Sequence, residues 1–178
     1  MKIKLISSLE KCFLDEHIDK YTEITGDTVY KNQRYSFQLA YETPDDLLLY
    51  TKLAVESDIN ELITVKEVVN IPSDMAVYPH SDEDVLRRDA GLYPDLLRPA
   101  DNAVASKGST KAYWITVAPE GKAIGKHDIT VKLLDAFTGE ELCRRTATVD
   151  ILDIALPEQE LVFAQWFHVD CLVDYYGV

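Results

Sequence analysis

A chain of 178 residues, 47% hydrophobic and 28% charged, can bury roughly two-thirds of its unfolded surface within one domain. Its composition is too ordinary for a disordered, collagen-like or coiled-coil protein. The formal net charge of −13 argues against nucleic acid and anionic membranes as partners, because both are held by clustered Lys and Arg.

The N-terminal "MKIKLISSLEKCF" has two lysines and a short apolar run broken by serines, Glu10 and Lys11. That is too weak for a secretory leader, and nothing approaches membrane-spanning length. The cysteines, Cys12, Cys143 and Cys171, are odd in number and lack C-x-x-C spacing, which fits a reducing compartment. A cytoplasmic location is the expectation.

From residue 34 onward the dominant period is two. In "RYSFQLAYE", Tyr35, Phe37, Leu39 and Tyr41 point one way and Arg34, Ser36, Gln38 and Glu42 the other, as in a strand with one wet face. Leu49, Leu53 and Val55 repeat the pattern with Thr51 between them, and Ile63, Val65, Val69 and Ile71 continue it until Pro72, which is expected to end that run. Residues 73–109 hold most of the prolines and little periodicity. They are read as a long connection crossing between sheets, with one helical turn at 81–86 capped by Ser81 and Asp84.

Order returns with Tyr113, Ile115 and Val117 alternating against Ala112, Trp114 and Thr116, followed by a turn at Pro119 and Gly121. Ile129, Val131 and Leu133 form the next inward row. Thr138-Gly139 reverses the chain into a partner with Cys143, Ala147, Val149 and Ile151 inward. Strands about ten residues apart without intervening helices predict an all-β fold, an antiparallel immunoglobulin-like β-sandwich.

No nucleotide-binding glycine loop, P-loop, nucleophile elbow, zincin motif or EF-hand occurs, and no cofactor or metal is expected. His168 and Asp170 in "HVDC" share a face if that segment is a strand, either as ligand-contacting groups or as a polar pair finishing the strand. "SDEDV" at 81–85 is a solvated acidic turn rather than a calcium loop, which needs about six oxygens. Trp114, Tyr113, Tyr93, Tyr78 and Tyr50 are candidates for a sugar-stacking platform or, alternatively, for core filling. Acidic residues are so abundant that no pair is singled out as a catalytic one.

"GLYPDLLRP" at 91–99, "AYWITVAPEGKAIGKHDITV" at 112–131 and "LPEQELVFAQWFHVDCLVDYYGV" at 156–178 together resemble the N-terminal region of bacterial glycoside-hydrolase-like proteins carrying the domain of unknown function 4091, which are related to glycoside hydrolase family 123. The resemblance implies a β-sandwich accessory domain at 1–160 and, at 161–178, the start of a (β/α)8-type barrel otherwise missing from this chain. It places Trp166 and Phe167 on the first barrel strand or the joint between domains, with Tyr93 and Asp95 also at the domain interface. His168, Asp170 and Trp114 become the candidates for substrate contact. The implied activity is of β-N-acetylgalactosaminidase type, with its Asp-Glu pair in the barrel, so no catalytic residue is carried over. The implied partners are that barrel and a carbohydrate. Alternative functions are an independent carbohydrate-binding module, or an assembly domain forming a homodimer through the exposed C-terminal segment.

Overall fold

The period-two segments become strands in a computed structural model, which describes residues 1–74, 83–100, 103–162, 164 and 169–177. The described strands are β1 (Lys2–Ser7), β2 (Gly26–Tyr30), β3 (Tyr35–Glu42), β4 (Leu49–Glu56), β5 (Ile63–Ser73), β6 (Gly91–Pro99), β7 (Val104–Ser106), β8 (Thr110–Val117), β9 (Gly125–Asp135) and β10 (Glu141–Leu152). They form two five-stranded sheets, β1-β3-β8-β5-β6 (sheet A) and β2-β10-β9-β4-β7 (sheet B). The all-β sandwich follows as expected from the alternation. One pairing departs from the antiparallel rule, since β2 runs parallel to β10 from Gly26↔Thr148 to Tyr30↔Leu152.

The core lies between the sheets. Phe37, Leu39 and Tyr41 of β3 and Tyr113, Ile115 and Val117 of β8 meet Ile129, Val131 and Leu133 of β9 and Ala147, Val149 and Ile151 of β10, all buried. Within it Thr51, fully buried, lies 3.3 Å from both the Tyr41 hydroxyl and the Val104 carbonyl through its Oγ1. The Tyr113 hydroxyl donates to the Thr51 carbonyl at 3.1 Å. These bonds satisfy polar groups that would otherwise be costly in the interior. The β9–β10 reversal is held by Asp135, whose Oδ1 accepts from the backbone N–H of Phe137 and Thr138 at 2.9 and 2.8 Å.

A second, smaller cluster lies on the other side of sheet A. Ile6, Ala40, Ala112 and Val68 are covered there by Cys12, Ile18 and Tyr21 from residues 8–24. Ala40 and Ala112 sit directly opposite each other, and two methyl side chains in register let the covering segment approach the sheet closely. Gln38 anchors the segment by donating to the carbonyls of Ser7 and Glu10 at 3.0 and 2.9 Å.

Four sequence-based expectations are corrected. Pro72 does not end β5, because β8 pairs with β5 only over Ile63–Glu67 while β6 pairs with it through Ser73. At Pro72 one side of the strand therefore has no ladder partner, and a missing N–H is tolerated there. The long 73–109 connection contains β6 and β7. A register shift opposite Val69/Asn70, two prolines and an extra residue at Asp95 obscure the alternation of β6. The helical turn at 81–86 is not formed where the chain is described, since Glu83 and Asp84 make a plain turn and no helix follows; Ser81 and Asp82 lie outside the described residues.

The fourth correction concerns the C-terminal segment. Val169–Tyr176 is a helix, α1, not a strand. Val169, Leu172, Val173 and Tyr176 recur at i, i+3, i+4 and i+7, which is helical spacing, and Asp170 in the first turn complements the helix dipole. Asp170 therefore lacks the strand geometry that would set it on one face with His168. Trp166, Phe167 and His168 lie outside the described residues.

Candidate functional site

The outward face of sheet A divides into a covered half and an open half. Strand register sets the open half. Ser36, Thr116 and Thr64 form one row across β3, β8 and β5, and Gln38, Trp114 and Lys66 form the next. With neighbouring strands about 4.8 Å apart, each row spans about 10 Å. Arg34 lies at the near end of this surface and Leu97 of β6 flanks it.

Trp114 stands where the two halves meet. Its Nε1–H donates to Thr116 Oγ1 at 3.1 Å, two residues along the same strand face, so the indole is held down along β8. Thr116 Oγ1 is in turn 2.9 Å from Ser36 Oγ. On one side Trp114 and Leu97 border a cavity of about 580 Å³ that also reaches Arg34, Glu61, Lys66 and Glu120. On the other side they border a smaller hollow of about 170 Å³ running under Glu10 and Lys11 to Pro94 and Asp95. That hollow continues at Lys11, Pro94 and Asp95 into a third cavity, of about 440 Å³, beside Phe13, Arg87 and Tyr93. Three adjoining hollows, each sharing wall residues with the next, thus form a trough on the outer face.

The far end of the trough is built by a charged clasp. The Arg87 guanidinium lies 3.9 Å over the Phe13 ring and bonds Asp15 at 2.7 Å and Glu16 at 2.8 Å. Glu16 also accepts from Lys20 at 2.7 Å and the Tyr21 hydroxyl at 2.8 Å. Partial burial opposes ionisation of Glu16, but the bonds from Lys20, Arg87 and Tyr21 outweigh it and hold its pKa at about 2. Beneath the clasp, burial pushes the Cys12 thiol up to about 12, so Cys12 is an inert packing residue. Phe13 meets Tyr93 edge-to-face at 5.8 Å, and the Tyr93 hydroxyl donates to the Asp89 carbonyl.

Burial raises the pKa of a general acid in a glycosidase. Among the described residues, every carboxylate with a displaced titration, Glu16, Asp19, Glu42, Asp58 and Asp135, is displaced downward by hydrogen bonds or ion pairs. Among the described residues no group of three or more His, Cys, Asp or Glu side chains converges as a metal site needs, and no helix is long and apolar enough to cross a membrane.

The five aromatics considered together as a platform are dispersed. Trp114 faces the trough, whereas Tyr113 points into the core and stacks on Tyr41 at 5.7 Å. Tyr50 lies on sheet B against Phe137, Tyr93 and Asp95 lie on β6 at the far cavity, and Tyr78 is outside the described residues. The residues around Trp114 that sequence reasoning missed are Lys66, Thr64 and Glu61. Arg34 and Ser36 were legible on a wet strand face, whereas Gln38, expected there too, is buried beneath residues 8–24; the cross-strand neighbours of this face depend on register.

No protein-family model and no curated protein matches the sequence. Among solved structures, a family 123 glycoside hydrolase from Clostridium perfringens, described in a study of glycolipid glycan hydrolysis, superposes with a TM-score of 0.67 at 10% identity. The match covers 88% of this chain and 28% of that one. The two share a fold over that region, and this chain spans little more than a quarter of the enzyme's length. The N-terminal domain of PorA, at a TM-score of 0.39 and 8% identity over 84% of this chain and 97% of that one, is too distant in shape to carry an argument.

Proposed function

We propose that this chain is the non-catalytic sandwich domain of a glycoside-hydrolase-like protein of the family 123 and domain-4091 kind. In this reading residues 1–160 brace a (β/α)8-type barrel whose first element is approached by residues 161–178. The observation that carries the proposal is the sandwich superposition, which takes in nearly all of this chain and a minor part of a glycan-hydrolysing enzyme. The exposed Val169 and Val173 on α1 agree with it, being apolar surface of a kind that a neighbouring domain covers.

The test is hydrolysis of an aryl β-N-acetylgalactosaminide by the 178-residue chain and by a polypeptide that joins it to its barrel. Turnover is expected in the longer protein alone. Enzyme-like turnover by the 178-residue chain, or none by the longer protein, overturns the reading.

A further inference from the structure

We propose that the open half of the outer face of sheet A, centred on Trp114, is a binding site for a neutral pyranose sugar of an oligosaccharide. The site lies wholly on this chain and does not depend on a barrel.

A sugar presents two kinds of surface, an apolar C–H face and a rim of hydroxyls that both donate and accept. Trp114 supplies the first requirement. Its indole is fixed by the bond to Thr116 and borders the cavity of about 580 Å³, so little rotamer freedom is lost when a ring stacks on it. The surroundings supply the second. Thr64 offers a hydroxyl in the same row as Ser36 and Thr116, whose hydroxyls are bonded to each other and keep one lone pair or proton to share, while Arg34 and Lys66 offer donors and Glu61 an acceptor.

The charges identify the ligand further. Arg34, Lys66 and Glu61 are exposed and make no ion pair or side-chain hydrogen bond among the described residues, in contrast to Arg87, Arg98 and Lys132, which are all paired. Charged groups of both signs left unpaired around one aromatic are suited to hydroxyls, which accept from cations and donate to carboxylates. The two cations face Glu61 and Glu120, the latter shared with Lys122 at 3.9 Å, and the protein's net charge is −13. The field of so acidic a protein disfavours an acidic glycan, and a neutral one is favoured. The cavity of about 580 Å³ falls within the roughly 300–1,000 Å³ usual for small-molecule sites.

The experiment is calorimetric titration of the 178-residue chain with cellotriose, maltotriose, chitotriose, xylotriose and trigalacturonate. Saturable binding of at least one neutral trisaccharide is expected. Trp114→Ala is expected to weaken it by about tenfold or more, the loss of one stacked ring. Because Trp114 also packs on the small cluster over sheet A, Lys66→Ala and Glu61→Gln provide variants at exposed positions that leave the core untouched. Each is expected to weaken binding about threefold or more, through loss of one charge-assisted hydrogen bond, with an unchanged melting temperature. Flat titrations with all four neutral sugars, affinity indifferent to these substitutions, or binding of trigalacturonate alone would overturn the proposal. None of these outcomes bears on whether a barrel completes the protein, which the hydrolysis assay decides.

Discussion

Replacing Gly26 by alanine is expected to loosen the parallel edge of sheet B, and the structure sets the size of the effect. Gly26 opens β2 at φ +151°, a region that side-chain-bearing residues enter at a cost of about 1–3 kcal/mol. A Cβ at this position would lie 1.9 Å from the Thr148 carbonyl oxygen and 2.9 Å from its carbon. Both are backbone atoms of β10, so no rotamer change relieves the overlap, and β2 must move outward by more than 1 Å. That movement strains the Thr148 N–H bond to the Thr25 carbonyl, now 2.9 Å, while the buried Val29 further along β2 resists it. One or two weakened backbone bonds add about 1–2 kcal/mol, for a total of about 2–5 kcal/mol. In a chain of this size that corresponds to a fall in Tm of about 4–20 °C.

Gly121→Ala is the matched control. Gly121 also has positive φ, at +79°, but a Cβ there has nothing within 4 Å. It should suffer only the left-handed backbone cost of about 1–2 kcal/mol. Thermal unfolding followed by far-ultraviolet circular dichroism compares the two. If Gly26→Ala melts no lower than Gly121→Ala, the close approach of β2 to β10 is not what requires glycine, and the reasoning is refuted.

Two further perturbations test the interior and the clasp. Thr51→Val removes the hydroxyl beside the buried Tyr41 and Tyr113 hydroxyls and should destabilise by about 1–3 kcal/mol; adding Tyr41→Phe should recover part of that loss, and strictly additive denaturant-unfolding energies would count against the network. The pKa of Glu16 is depressed to about 2 in the fold, so its contribution is complete above the unfolded-state value near 4.5 and fades as pH falls toward 2. Glu16→Gln should therefore lower stability by about 1 kcal/mol at pH 6, after solvent screening of a surface cluster, with the gap narrowing steadily below about pH 4.5 toward pH 2. A gap that stayed constant across that range would show that the charge on Glu16 is not what holds the clasp.

The strands of the core were legible because inward residues such as Phe37, Leu39 and Tyr41 recur at every second position and are buried in the fold; the rows expected of β4 and β5 are only half-buried, and Ile71 is exposed. β6 was not, because Pro94, Pro99 and the extra residue at Asp95 break the period inside a strand that pairs along its whole length. α1 carried a helical spacing of apolar residues, but the strand expected of a barrel entry was placed over it. The parallel course of β2 left no local mark, since its five residues do not say which neighbour they will pair with.

The candidate site divides along the same line. Sequence alternation by itself put Trp114 on the opposite face from Tyr113, because successive side chains on a strand point to opposite sides of the sheet. Only the tertiary structure decided what stands beside it. Lys66 is 48 residues away in the chain and Ser36 is 80 residues from Thr116, and they become neighbours through antiparallel register, a property of the paired backbones rather than of either segment. The same holds for the cover on sheet A. Residues 8–24 show no sheet-like pattern, and they lie over Ala40 and Ala112 because two alanines in register leave room there, so the covered half ends and the open half begins at Trp114.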